Sequence, residues 1–378
     1  MLPPLSLYIH IPWCVRKCPY CDFNSHATSS GQDIPEALYI SALLGDLKTE
    51  LAAVSGRRLH SIFIGGGTPS LMTAAGIGEI LNFVKANIDY EANMEVTLEA
   101  NPGTFEQARF AGFLDAGVNR LSIGVQSFDD ACLKALGRIH SAAQAKMATG
   151  KAQELGFKRI NLDLMHGLPN QNLALGLADL EQALAFKTDH LSWYQLTIEP
   201  NTEFHSRPPN LPDEDVLVDI QDQGQAIIAA AGLYQYEISA YAKEQSQARH
   251  NLNYWRFGDY IGVGAGAHGK VSHLSGADMT IERRVKLRQP KAYMSAIEPL
   301  SSSHLVTPDE VRLEFFMNAL RLQEGVAEAT FEAQTGVKLA YVEPALSAAR
   351  KAGLMHPQRL QATPLGWRFL NDLLEYFE

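Results

Sequence analysis

The sequence contains little cysteine and has a deficit of positive charge. Four cysteines among 378 residues exclude a small scaffold held together by disulfides. The chain has 32 lysines and arginines against 42 aspartates and glutamates, which gives a formal net charge of −10. A chain with this balance has no general positive field that would attract nucleic acid or anionic lipid. We therefore expect no nucleic-acid partner.

Long hydrophobic runs are also missing. No stretch approaches the roughly 18 apolar residues of a membrane span, so we expect no integral membrane segment. The first basic residue, Arg16, follows the apolar opening, whereas a signal peptide begins with a charged region. We therefore expect a cytoplasmic protein. The composition, 46% hydrophobic and 20% charged, is that of an ordinary globular chain, and the length allows two or three domains.

Six short β-rich runs alternate with segments of helical periodicity. The predicted strands are Leu5–Ile11, Leu59–Ile64, Glu95–Leu98, Arg120–Val125, Arg159–Leu164 and His190–Thr197. Glu36–Val54 and Leu71–Asn87 are long enough to be crossover helices between parallel strands. This order predicts an α/β fold, a partial (β/α)6 barrel of the TIM type.

Polar or glycine-rich residues follow every predicted strand. These segments are Pro12–Cys14, Gly65–Ser70, Glu99–Gly103, Gln126–Ser127, His166–Pro169 and Glu199–Asn201. The loops after parallel barrel strands converge on one face of the barrel, where active sites are built. We therefore expect these segments to form one site.

The pattern changes after about residue 200. A proline-rich break, a helical run and a predicted strand at Tyr234–Tyr241 extend the barrel domain from about residue 205, and we assign that domain to residues 1–300. Residues 307–378 have the pattern of three helices, a short β ribbon near Leu360–Thr363 and a last helix, which is typical of a winged-helix-like module. Its 7 basic and 10 acidic residues argue against DNA binding.

Three of the four cysteines form the pattern Cys14-x3-Cys18-x2-Cys21, directly after the first predicted strand. Thiolates are soft ligands that suit zinc and iron–sulfur clusters. A structural zinc needs a fourth ligand, which His10 or His26 would supply. A [4Fe–4S] cluster on three cysteines instead leaves one iron open to an exogenous ligand. The spacing alone leaves both interpretations open.

This spacing, together with the glycine-rich end of the second strand, resembles the radical S-adenosylmethionine (SAM) superfamily. Members of that superfamily bind a [4Fe–4S] cluster through C-x3-C-x2-C, and the open iron chelates the methionyl amine and carboxylate of SAM. The resemblance implies a radical SAM barrel in which Cys14, Cys18 and Cys21 hold the cluster.

Within the superfamily, the chain resembles the branch of oxygen-independent coproporphyrinogen III oxidases and related heme chaperones. The matching stretches are Tyr8–Cys14, Gly65–Ser70, Glu99–Gly103, Gly124–Phe128, Asn161–Leu164 and His250–Trp255. The oxidases have a further cysteine where this chain has Phe23, and a longer segment before the cluster loop. Both departures favour the heme chaperones. The resemblance also implies that residues 307–378 are the helical C-terminal domain of that branch.

The resemblance implies a set of SAM contacts. Gly66, Gly67 and Thr68 would lie beside the methionyl group, and the other implied contacts are Tyr8, Glu99, Gln126, Arg138 and Asp163. Structural alternatives exist for several of them. The glycines are compatible with a tight turn, the two carboxylates with helix capping, and Arg138 with a solvated charge on a helical stretch.

The segment His250–Trp255 has the pattern H-N-x-x-Y-W, which is associated with heme binding in the resembled chaperones. It implies His250 as a ligand of heme iron, with Tyr254 and Trp255 against the porphyrin. The structural alternative is a core histidine among packed aromatic residues. His268, at the end of a glycine-rich stretch, is the next candidate ligand.

The sequence also allows predictions for a run of basic residues and for the fourth cysteine. The basic residues are Arg283, Arg284, Lys286, Arg288 and Lys291. They would meet heme propionates or, as we expect, form a solvated charged face. The fourth cysteine, Cys132, lies in a predicted helix and is expected to be a buried core residue without a ligand role.

Together these inferences predict a heme chaperone that carries a SAM-ligated [4Fe–4S] cluster and passes heme to hemoproteins. The implied partners are heme, the proteins that receive it and a donor of heme or of electrons, and a homodimer is left open. Two alternatives remain. One is the oxidative decarboxylation of coproporphyrinogen III, and the other is a metal-stabilised interaction module without SAM chemistry. The resemblance implies that such a cluster can transfer one electron to SAM, which yields methionine and a 5′-deoxyadenosyl radical.

Overall fold

A computed structural model of the chain describes residues 2–28, 34–103, 107–276 and 278–378. Its strands are β1 Leu5–Ile11, β2 Trp13–Cys14, β3 His26–Ala27, β4 Arg58–Gly66, β5 Asp89–Ala100, β6 Arg120–Gln126, β7 Arg159–His166, β8 His190–Gln195, β9 Tyr234–Glu237, β10 Ala240–Ala242, β11 Asp259–Val263, β12 His268–Ser275, β13 Asp278–Lys286 and β14 Leu300–Leu305.

The α-helices alternate with these strands. They are α1 Glu36–Ala53, α2 Ala74–Asn87, α3 Phe110–Ala116, α4 Asp130–Ala135, α5 Ala142–Glu154, α6 Leu173–Ala185, α7 Glu203–Ser206, α8 Glu214–Ala230, α9 Arg249–Trp255, α10 Pro290–Ser295, α11 Pro308–Ala319, α12 Glu328–Thr335, α13 Glu343–Lys351, α14 Pro364–Arg368 and α15 Leu370–Leu374. Short 3-10 turns lie at Pro69–Leu71, Leu339–Tyr341 and Glu375–Phe377.

Twelve strands form one mixed sheet in the order β14-β13-β12-β11-β1-β4-β5-β6-β7-β8-β10-β9. The six strands from β1 to β8 in this order are parallel, each paired with the next. All six predicted strands are present, with ends that differ by a few residues. The described part of the sheet ends in β14 on one side and β9 on the other, so the barrel is partial, as predicted.

The residue pattern of β1 shows why the parallel barrel strands form a sheet with one apolar face. Leu5, Leu7 and Ile9 alternate with polar residues and are fully buried in the main core. The intervening Ser6 lies opposite Ser61 of β4, with their hydroxyl oxygens 2.8 Å apart. Because alternate strand residues point to opposite faces of a sheet, the apolar set packs against the helices while the polar set faces the barrel interior.

The extension after residue 205 adds strands at both sides of the barrel. The predicted single strand Tyr234–Tyr241 is wrong in detail, because the chain turns between β9 and β10, which pair antiparallel. At the other side, β11 pairs parallel with β1, and β12 to β14 follow as antiparallel strands. Strands β11 to β14 were not predicted, because the outer members β13 and β14 carry charged or polar residues instead of an apolar run.

The C-terminal segment has its own hydrophobic core, centred on Phe315, Phe316 and Phe331. Two antiparallel bridges, Val326 with Leu360 and Met355 with Ala362, form the predicted ribbon before the last two α-helices. No described helix combines the length and apolar character needed to cross a membrane.

Candidate functional site

A cavity of about 380 Å³ lies at the carboxyl ends of the parallel strands. It brings together ten of the residues that the sequence analysis assigned to the cluster and to SAM. These are Cys14, Cys18, Cys21, Gly66, Gly67, Thr68, Glu99, Gln126, Arg138 and Asp163. They come from five different β/α units of the barrel, so the fold has assembled one site from separate segments, as expected for the barrel.

The cysteine loop is closed at its base by main-chain hydrogen bonds. Strand β2 pairs with β3, and His26 N donates to Pro12 O at 2.7 Å. Within the loop, Cys21 N donates to Cys18 O at 3.1 Å. All three thiols are partly buried and free of disulfides. The loop therefore holds the three sulfur atoms on one wall of the cavity.

Each thiol has a polar neighbour. Thr68 Oγ1 donates to Cys14 Sγ at 3.4 Å, and Arg138 Nη1 donates to Cys18 Sγ at 3.8 Å. Ser25 Oγ lies 3.9 Å from Cys21 Sγ. Burial raises the pKa of the Cys14 and Cys21 thiols. These donors would offset part of the cost of thiolate charge in a buried site. Ser25 was not predicted as a site residue, because no sequence pattern singled it out.

The glycine-rich end of β4 is shaped by close packing against the cysteine loop. Gly66 has φ +111, and a Cβ on Gly67 would lie 2.5 Å from Trp13 O. Gly67 N donates to Ile11 O and Thr68 N to Trp13 O, both at 2.7 Å. The glycines thus form a tight turn, as the structural alternative predicted, and they also line the cavity.

Two carboxyl groups lie at the bottom of the cavity. Glu99 Oε2 accepts a hydrogen bond from Gly66 N at 3.1 Å, and Asp163 accepts from Ser122 Oγ at 3.0 Å. Burial, and secondly the charge of Asp163, raises the pKa of Glu99 to about 8. Burial also raises the pKa of Asp163. Among the described residues neither carboxylate bonds to a helix N-terminus, so the contacts that they make are not those of helix capping.

Arg138 is tied into the site rather than solvated. It lies after α4, and its Nη2 donates to Asn101 Oδ1 at 2.6 Å and to Gly124 O at 2.9 Å. The alternative of a solvated charge on a helix is therefore wrong. Gln126 has φ 68 and accepts a hydrogen bond from Tyr194 OH at 3.0 Å. Asn101 and Tyr194 line the cavity and were not identified as site residues from the sequence.

A second, larger groove of about 800 Å³ adjoins the cavity. The two share Asp22, Phe23, Gly66 and Glu99. The remaining groove residues are mostly aromatic or cationic: Tyr8, His10, Phe63, Tyr254, Trp255, Phe257, Tyr260, His268, Lys270, Arg283 and Arg288. Tyr8, predicted to contact SAM, lines this groove and not the cysteine cavity. Tyr254 and Trp255 of the predicted heme segment also line it.

His250 lies outside the groove. Its side chain stacks on Phe63, with ring centroids 4.1 Å apart, and the residue is 9% exposed. Its Nδ1 is 3.6 Å from Glu95 Oε1 and makes no hydrogen bond with the residues that the structure describes. Burial lowers the pKa of His250. The ring lines a smaller cavity of about 150 Å³, which shares Glu99 and Asp163 with the cysteine cavity and Phe63 with the groove.

The basic run forms a solvated face only in part, because Arg288 and Lys291 are exposed whereas Arg283, Arg284 and Lys286 are partly or fully buried. Lys286 is buried, and its Nζ lies 2.5 Å from both Asp46 Oδ1 and Glu50 Oε1. Arg284 Nη2 pairs with Glu50 at 3.2 Å. Strand β13 turns these side chains inward against α1, which sequence spacing alone did not show. Of the five basic residues, Arg283 and Arg288 line the groove and Lys291 is exposed.

Of the two histidines that could complete a structural zinc site, His10 is already engaged by other residues. His10 Nε2 donates to Asn24 O at 2.9 Å, and its Nδ1 lies 2.8 Å from Tyr8 OH. Both ring nitrogens of His10 are thus engaged. Three soft thiol donors on one wall, with free volume beside them, fit an iron–sulfur cluster with an open corner.

Cys132 is a core residue, as predicted. It lies in α4, is 3% exposed and packs in a small hydrophobic cluster with Leu136 and Met165. It does not line the cysteine cavity.

Comparison with known proteins agrees with this geometry. A model of the Radical SAM superfamily matches residues 8–180, and one of the HemN C-terminal domain matches residues 306–369. Two curated relatives carry the name heme chaperone HemW. The one from Haemophilus influenzae is 52% identical over 382 residues, and the one from Escherichia coli is 52% identical over 378 residues. Each comparison covers 100% of this chain and 98% of the relative.

Among solved structures, the coproporphyrinogen III oxidase HemN from Escherichia coli, a radical SAM enzyme, has a TM-score of 0.82 to this chain. The match covers 100% of this chain and 90% of that protein, at 22% sequence identity. At this identity the likeness concerns the fold. It confirms the predicted α/β barrel with its helical C-terminal module.

Proposed function

Because this chain belongs to the HemW family, within the radical SAM superfamily, we propose that it is a heme chaperone, which binds heme and a SAM-ligated [4Fe–4S] cluster and delivers heme to hemoproteins. The observation that carries the proposal is the contact between two sites. The cysteine cavity and the aromatic groove share Gly66 and Glu99 as a common wall.

In this proposal Cys14, Cys18 and Cys21 hold the cluster. The hydroxyl of Thr68 and the guanidinium of Arg138, which already donate to two of the thiols, orient these sulfurs and stabilise their negative charge. A bound and reduced cluster of this kind supplies one electron to SAM.

The residues on the opposite side of the cavity suit the polar and cationic parts of SAM. Glu99 and Asp163 would accept hydrogen bonds from an amine or from ribose hydroxyls. A cation beside them would lower the raised pKa of each carboxyl group, which couples ligand binding to release of a proton. We assign the remaining SAM contacts to Gly66, Gly67, Thr68, Gln126, Arg138 and, from the groove side, Tyr8.

The proposed partners are heme, the hemoproteins that accept it and a donor of heme or electrons. Phe23, at the position where the oxidases have a further cysteine, is 59% exposed and lines both sites. An apolar ring at this point offers surface to a porphyrin and no thiol. This favours heme binding over coproporphyrinogen oxidation.

The cluster is tested by anaerobic reconstitution of the full chain. We expect about four irons and four sulfides per chain, with loss of both when Cys14, Cys18 or Cys21 is replaced by alanine. Cys132→Ala is the matched control, because its thiol lies outside the cavity. Tightly bound zinc without iron–sulfur absorption would support the metal-stabilised interaction module instead.

The heme function is tested by two measurements on the same reconstituted protein. Heme titration should give a saturable Soret band. Incubation with coproporphyrinogen III, SAM and a reductant should yield no protoporphyrinogen IX above a cluster-free control. Formation of that product would establish the oxidase alternative.

A further inference from the structure

The groove contains one histidine whose ring is free to bind a metal ion. His268 is exposed at the start of β12 and lines the groove. Its ring makes no hydrogen bond or ion pair with any residue that the structure describes. The other groove histidine, His10, has both ring nitrogens engaged. His250, in the H-N-x-x-Y-W segment, lies behind Phe63 and is 9% exposed.

The position of His268 depends on close backbone packing that only glycine allows. A Cβ on Gly262 would lie 1.9 Å from the carbonyl oxygen of His268, so only glycine permits β11 and β12 to approach here. Gly264, with φ +100, turns the chain beside the carbonyl of His10. The glycines thus allow the backbone segments to pack closely, and this packing places His268 at the rim of the groove.

Aromatic rings line the groove around His268. Tyr254 and Tyr260 pack edge to face, with centroids 4.8 Å apart, and Trp255 and the exposed Phe23 complete the lining. The volume of about 800 Å³ is within the usual range of roughly 300–1,000 Å³ for small-molecule sites. Flat apolar surfaces of this kind suit the face of a porphyrin.

The cationic side chains of the groove differ in whether they are already paired within the protein. Arg283 is committed to Glu314 and to Tyr260 OH, and Lys270 Nζ lies 3.0 Å from Asp259 Oδ1. The guanidinium of Arg288, by contrast, has no hydrogen bond or ion pair with the described residues. It is exposed and lines the groove. Arg288 is therefore the cation that can take up a carboxylate from outside the protein.

From this arrangement we propose that His268 is the protein ligand of heme iron, with the porphyrin in the aromatic groove and a propionate on Arg288. The proposal rests on the proposed heme function and assigns its binding site. His250 then acts as a positioning residue, because its ring supports Phe63 behind the groove wall. A heme bound in the groove lies against Gly66 and Glu99, the wall shared with the cysteine cavity.

The test is an anaerobic titration of ferric heme into the reconstituted full chain. His268→Ala should change the Soret maximum and weaken heme binding roughly tenfold or more, and free imidazole should restore the wild-type spectrum. Arg288→Gln should weaken binding without moving the Soret band. The control is His273→Ala, on the same strand but outside the groove, which should behave as wild type.

The outcomes separate this proposal from the proposed function. Heme binding by the wild type with an unchanged spectrum in His268→Ala would overturn the assignment of His268 and leave the chaperone function standing. A spectral change that imidazole does not restore would also overturn it. Absence of heme binding by the wild type would overturn the proposed function itself. Iron–sulfur absorption retained in every variant checks that the fold is intact.

Discussion

Two carboxyl groups beneath the cysteine cavity have protonation states that depend on their surroundings. Burial is the main cause of the raised pKa of Glu99, and Asp163 adds to it. Burial also raises the pKa of Asp163, although Ser122 and Asn161 donate hydrogen bonds to its carboxylate. Charge on these groups is costly until a cation arrives. The cavity is therefore suited to a ligand with a cationic part.

We expect Glu99→Gln to reduce the pH dependence of stability of the metal-free protein. The pKa of Glu99 rises from 4.5 to about 8 on folding, so the folded chain binds this proton more tightly than the unfolded chain. The stabilisation is present below the unfolded pKa and is lost as the pH rises through the folded pKa. Urea unfolding below and above this window should show a loss on the order of a few kcal/mol in wild type and a smaller loss in the variant.

Glu324→Gln is the matched control, since the Glu324 side chain is 72% exposed. It should follow the wild-type curve. If the stability of Glu99→Gln falls with pH as steeply as that of the wild type, Glu99 is not the group that titrates.

At the scale of secondary structure, a buried ionic cluster joins α1 to β13. Lys286 Nζ lies between Asp46 and Glu50, which are one helical turn apart on α1. Tyr293 OH donates to Asp46 Oδ2 at 2.7 Å. This cluster attaches the added strands to the barrel helices and fixes the position of β13, which also carries Arg283 into the groove.

Lys286→Met should destabilise the protein by about 3–5 kcal/mol, because it leaves the buried carboxylate of Asp46 without its cation and that of Glu50 with Arg284 alone. Chemical unfolding monitored by circular dichroism measures the change. Lys291→Met, at an exposed site just beyond the strand, should have little effect. The double variant Lys286→Met with Glu50→Gln should recover part of the loss. Equal free energies of unfolding for Lys286→Met and Lys291→Met would show that the buried ionic cluster does not contribute to stability.

At the scale of the whole molecule, Phe257 connects the barrel extension to the C-terminal module. It follows α9 yet is buried in the C-terminal core, with its ring centroid 5.5 Å from that of Phe315. Lys270 Nζ lies 4.2 Å from the centre of the Phe257 ring on the groove side. The same side chain thus contributes to the module interface and to the groove wall.

Phe257→Ala should lower the free energy of unfolding by about 3–5 kcal/mol, the usual cost of removing a buried phenylalanine ring. It should also weaken heme binding, because the groove loses the ring under Lys270. Differential scanning calorimetry and heme titration measure the two effects. Phe369→Ala, at a ring that is 48% exposed, serves as the control for both. An unchanged unfolding temperature in Phe257→Ala would contradict the proposed connection.

The barrel strands and the cysteine site could be predicted because their signals are local. Apolar alternation, helical periodicity and cysteine spacing are all read within one short segment. The loops after the strands then had to meet, because parallel barrel strands end on one face. Ser25 and Tyr194 gave no such signal, since a single polar or aromatic residue has many structural uses.

The sequence by itself determined the order of strands and helices, the cysteine loop and the place of Cys132. Only the tertiary structure decided which aromatic and basic residues share a groove. Tyr8, Tyr254 and His268 are distant along the chain and meet because β11 pairs with β1 and β12 with β11. The same pairing turns Lys286 inward and leaves His250 behind Phe63. Residue spacing carries no information on such long-range pairing, which depends on how the whole sheet assembles.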